Sequence, residues 1–268
     1  MFRLLRGRDV ALHAAAITFY SGIAVVPAAL LAIWLTGLAV GADRVRRLTG
    51  LTIAALPDAI GAPRALGALI DAGLALPPLF ALASVLPATL YGEGLRRAFA
   101  SLSTPRETLT GWRGRLLWLP LLAAAPALLL ALFLALPTTS GLWLRGGWWS
   151  VLGVVLSFLA CWLVLTPVVI WVFRYVAPGR PAWLPTVLIG SFTAANLSGF
   201  LHGFVLFCAL PLDLGVPFGG FTEVGATVAI GLWLYLFHTV LLTGFAAAHT
   251  VGSPSRDDSP SPVSITEG

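Results

Sequence analysis

Lysine is absent from the 268 residues, and all sixteen basic side chains are arginine. Charge of either sign is scarce: 10% of residues are charged, where a soluble domain carries about a quarter. With 58% hydrophobic residues and a mean hydropathy of +0.93, this balance excludes an ordinary soluble domain and indicates a polytopic membrane protein. Cysteine is nearly absent too. Cys161 lies inside one apolar run and Cys208 near the end of another, so no disulfide, CxxC redox pair or zinc site is expected. The four histidines (His13, His202, His238, His249) form no H-x-x-x-H pair, and the carboxylates Glu93, Asp213 and Glu223 stand apart. A nuclease needs such groups clustered around metal ions, and ATP hydrolysis needs a P-loop; neither is present. No cofactor is expected. Abundant Ala, Gly, Pro and Arg without Lys suggests a GC-rich bacterial genome.

What is there is a series of long apolar runs. They predict an all-α protein of six transmembrane helices at about 13–40, 72–92, 116–136, 150–173, 183–207 and 224–248. Residues 43–71 read as an amphipathic outer segment and residues 252–268 as a disordered tail. The first run follows Arg3, Arg6 and Arg8 and ends in Val40-x-Ala42, as a signal peptide would. It is too long for a signal core and reads as a retained helix. Prolines interrupt most runs, Pro27, Pro87 and Pro167 among them, and Pro77 and Pro78 mark the second as the most broken. Trp143, Arg145, Trp148 and Trp149 read as an interfacial belt. Eleven arginines fall on the side of the N-terminus and five opposite, which places both termini in the cytoplasm of a bacterial inner membrane. Four arginines in the first outer loop run against that rule.

The most informative stretch is Ser84–Leu102, SVLPATLYGEGLRRAFASL, where a hydrophobic helix passes into a basic surface. Glu93 and Arg97 are one turn apart, so an ion pair between them would lower the cost of a charge near hydrocarbon. The bland reading is a helix end with snorkelling arginines; the sharper one is a polar element facing the bundle interior. Candidate pathway residues are Glu93, Arg96, Arg97, Tyr20, Asn196, His202 and His238. Arg174 and Arg180 are candidates for binding anionic lipid headgroups, which also explains the basic balance without nucleic acid. The pairs Gly37/Gly41 and Gly199/Gly203 suit close helix packing, within the chain or against a second copy.

Four stretches, AAAITFYSGIAVVP (Ala14 to Pro27), Glu93 to Leu102, FRYVAPGRPAW (Phe173 to Trp183) and VGATVAIGLWLYLFHTVLLTG (Val224 to Gly244), stand in this order along the chain. In these stretches the chain resembles the YihY/BrkB family of bacterial inner-membrane proteins. Where the family commonly follows its final glycine with a small residue and a glutamate, this chain reads Gly244, Phe245, Ala246, and Glu223 stands at a usually small or hydroxylic position. The resemblance implies a six-helix inner-membrane protein. Members have been called ribonucleases, serum-resistance or virulence factors, and some are tied to lipid or lipopolysaccharide export. The residues favour transport or handling of a lipid or other envelope component over a non-transporting scaffold, and disfavour a ribonuclease.

Overall fold

The structure, a computed structural model, describes residues 10–54, 56, 61–103, 109–143, 145–179 and 181–252. Among them every regular element is helical. The elements are α1 (Val10–Val40), α2 (Ala42–Ala54), α3 (Ala62–Leu74), α4 (Pro78–Leu102), α5 (Thr110–Trp143), α6 (Gly147–Trp171), α7 (Trp183–Cys208) and α8 (Thr222–Gly252). A π turn, Val172–Val176, prolongs α6, and a short 3-10 turn, Val216–Phe218, precedes α8. Arg3, Arg6, Arg8, Arg106, Arg180, Arg256 and residues 253–268 lie outside the described residues.

Five helices (α1, α5, α6 with its π turn, α7 and α8) are long and apolar enough to cross a membrane, and the bent pair α3–α4 makes a sixth. In hydrocarbon a backbone must bond itself, and a helix does so within one segment. The helix therefore runs on through Pro27, Pro87 and Pro167. Pro77 and Pro78 act differently. The residue before a proline is driven out of the α region, so Leu76 and Pro77 are non-helical and α3 meets α4 at 120°. The expected span at 72–92 is thus represented by a helix that begins at Pro78, a favoured first position, and continues to Leu102.

The six long helices close side to side: α1 packs on α4, α4 on α5, α5 on α6, α6 on α7, α7 on α8 and α8 back on α1. One end of this ring is filled by Ile17, Leu95, Phe99, Phe173, Leu242 and Phe245, with Phe99 and Phe245 ring centres 4.4 Å apart. At the other end α2 and α3 fold over α1 and α5 through Ile33, Val45, Ile70 and Phe133. Outward faces carry exposed apolar side chains such as Phe19, Leu82 and Leu188, as lipid contact requires.

Candidate functional site

Two helices meet where their side chains vanish. A Cβ on Gly92 would lie 2.5 Å from the carbonyl oxygen of Gly114, and one on Gly114 would lie 2.9 Å from Glu93 Cα, so α4 and α5 cross backbone against backbone. That crossing sets Glu93 against α5. Its Oε1 accepts from Arg97 Nη2 at 2.7 Å and Nε at 3.0 Å, and its Oε2 accepts from Arg115 Nε at 2.6 Å. The carboxylate is buried, Arg115 mostly so, and Arg97 is more than half exposed. Gly111 leaves the room: a Cβ there would sit 2.9 Å from Glu93 Oε1. The expected Glu93–Arg97 pair forms, and Arg115, not among the candidates read from the sequence, completes it. Arg115 also lies 5.2 Å from the Trp112 ring.

Arg96, next in the chain, points elsewhere. It is buried and donates through Nη1 to Val176 O at 2.6 Å and Tyr175 O at 3.4 Å, so it caps the π turn that ends α6. It also lines a cavity of about 680 Å³ at this end of the ring, with Arg113, Tyr175 and Gly179. Arg174 is near but separate, its guanidinium 5.3 Å from the Trp183 ring and its Nε buried without a hydrogen-bond partner. Arg180 lies outside the described residues.

A second polar centre lies deeper. Thr18 gives its one hydroxyl proton to Ala14 O at 2.8 Å, so its oxygen accepts from His238 Nδ1 at 3.0 Å. His238 Nε2 is then free to accept from the Tyr91 hydroxyl at 2.9 Å. His238, fully buried, and Tyr91 stand with Ser21 and Trp118 in the wall of a chamber of about 430 Å³ built from α1, α4, α5, α7 and α8. Tyr91 was missed in the sequence because its hydrogen-bond partner, His238, is 147 positions away in chain order, on α8; only its place two residues before Glu93 hinted at it.

The other candidates disperse. Tyr20 packs its ring on Gly94, where a Cβ would lie 2.6 Å away. Asn196 is turned outward and donates to Phe192 O of its own helix at 2.8 Å. His202 donates through Nδ1 to Ser198 O at 2.9 Å and meets Ser157 Oγ with Nε2 at 2.9 Å, which ties α7 to α6. Gly37 meets Leu74 and Gly203 meets Trp233, so these small residues seat side chains of the same molecule. Trp148 and Trp149 are exposed as a belt requires, whereas Trp143 is turned inward.

The chain matches a model of the virulence factor BrkB family over residues 1–264. The chain belongs to that family. No curated protein and no solved structure matches it. Family membership and the apolar helices together make this BrkB-family chain a multi-pass integral membrane protein.

Proposed function

We propose that this BrkB-family protein handles or moves a lipid or another amphiphilic component of the cell envelope, in a bacterial cytoplasmic membrane, with both termini cytoplasmic. The observation that carries the reading is the chamber inside the ring. Its volume of about 430 Å³ lies in the range of ligand sites, its wall is apolar, and His238 and Tyr91 supply a few convergent polar groups. A ring of spanning helices that only held itself together would pack its centre at this depth as densely as it does around Phe99. The arginine-rich end, with Arg97, Arg113 and Arg174, supports contact with anionic headgroups of the surrounding bilayer. Among the described residues no three carboxylate, histidine or cysteine side chains cluster, which supports a role without catalysis.

One observation favours a second reading, a membrane scaffold. Glu93 is bonded by two arginines and Arg96 by two carbonyls, so these groups serve packing. Reconstitution in vesicles with a fluorescent lipid separates the two. Protein-dependent movement between leaflets that Ala28→Phe, a chamber-filling change, abolishes is the expected result. No protein-dependent movement leaves the scaffold.

A further inference from the structure

The cavity of about 680 Å³ at the arginine-rich end grades from cationic to apolar along one helix face. Arg113, Leu116 and Leu117 line it from α5, three and four positions apart, and Leu116 is 61% exposed, as a lipid-facing side chain is. The rest of the wall includes Arg96 of α4, Tyr175 of the π turn and Pro178 just after it. These walls are bonded to one another. Arg96 ties α4 to the π turn through Val176 O and Tyr175 O, and Trp171 Nε1 ties α6 to α5 by donating to Leu117 O at 3.0 Å. The Trp171 and Tyr175 rings lie 4.4 Å apart. The space is therefore preformed, and a ligand need not spend binding energy to order it. The carbonyls that accept from Arg96 Nη1 are uncharged, so those bonds leave its positive charge in place. Glu93, three positions earlier, is taken up by Arg97 and Arg115, and among the described residues no carboxylate lines the cavity. An anion there meets the exposed Arg113 guanidinium, whose planar fork suits phosphate, and the charge of Arg96 set in the wall behind it. The volume separates two sources of such an anion. It falls in the range of whole-ligand sites and far exceeds one phosphate, and Leu116, Leu117 and Pro178 offer a bare ion nothing polar.

We infer that this cavity is a binding site for the phosphate group of an anionic lipid. The phosphate accepts from the Arg113 guanidinium, Arg96 adds its charge from the wall, and the apolar chain leaves past Leu116 into the hydrocarbon. The inference rests on the proposed amphiphile handling for the lipid as source. It adds the class of head, a phosphate ester, and the place that holds it: one built cavity between α4, α5 and the π turn, in contrast to arginines spread over a surface.

The test uses the full chain in an uncharged sugar detergent and two probes with the same chains, dioleoyl phosphatidate and dioleoylglycerol, with bound lipid counted by native mass spectrometry. Saturation at one phosphatidate per chain, with weaker binding of dioleoylglycerol, is expected. Arg113→Gln should weaken phosphatidate about tenfold, the worth of a hydrogen-bonded contact between charged groups. Arg97→Gln makes the same charge change at the same end but outside the cavity, on a side chain more than half exposed, and should weaken it less. A melting curve for each variant confirms that it is folded. Inorganic phosphate at the lipid's own concentration should leave phosphatidate bound; displacement at that concentration would assign the cavity to a free phosphate and overturn the lipid. Equal binding of both probes, or equal losses in the Arg113 and Arg97 variants, would overturn the site itself. Phosphatidate bound as expected with no movement between leaflets would refute only the transport reading. Movement without phosphate-dependent binding would refute only this inference.

Discussion

At the scale of single residues, the exposure of the partners ranks their worth. Glu93 is held from two sides, and removing it leaves Arg115 mostly buried without its carboxylate. Breaking such a pair costs about 3 kcal/mol, whereas a largely exposed partner contributes under about 1 kcal/mol. Thermal unfolding in nanodiscs should therefore order the variants Glu93→Ala and Arg115→Ala well below Arg97→Ala, with Arg97→Ala close to the parent. Equal losses for Arg97 and Arg115 would show that the exposed arm matters as much as the buried one. The His238 centre gives a second expectation. Tyr91→Phe strips the donor from Nε2 and leaves a buried acceptor unpaired, a loss of about 1–2 kcal/mol in the same measurement.

At the scale of elements, glycine placement decides where helices touch. Gly92→Ala would push its methyl into Gly114 O and the Trp118 side chain, and backbone cannot yield as a flexible side chain can. Gly22, also helical, has nothing near its absent Cβ. Gly92→Ala should lower the melting temperature or abolish folded yield, while Gly22→Ala should not, since alanine is the better helix former. Similar behaviour of the two would separate the α4–α5 crossing from stability. These contacts also show how far sequence reading reaches. The Glu93–Arg97 pair was legible because both residues share one helix and its period is known. Arg115 was not, since it comes to Glu93 only through the Gly92–Gly114 crossing, and Gly-x-Gly in a helix does not name its partner. The capping role of Arg96 was equally hidden, because its acceptors lie 79 and 80 positions on, in a π turn with no distinct pattern.

At the scale of the whole molecule, hydropathy made the spanning helices legible, and prolines marked the sharp bend between α3 and α4, though its position at Ala75–Pro77 moved the start of the second helix six residues and its end ten residues beyond the expected span. The hollow was invisible. Its wall is written in the same Ala, Leu and Val as the lipid-facing surface, and only closure of the ring tells inside from outside. That difference can be read directly by irradiating cells that express the chain and have taken up a photoactivatable, chain-labelled lipid, then mapping the adducts by peptide mass spectrometry. Adducts on Val25, Ala28, Leu201 and Phe237, lost in the Ala28→Phe variant, are the expected result. Adducts confined to Phe19, Leu82 and Leu188 would contradict a lipid-filled interior.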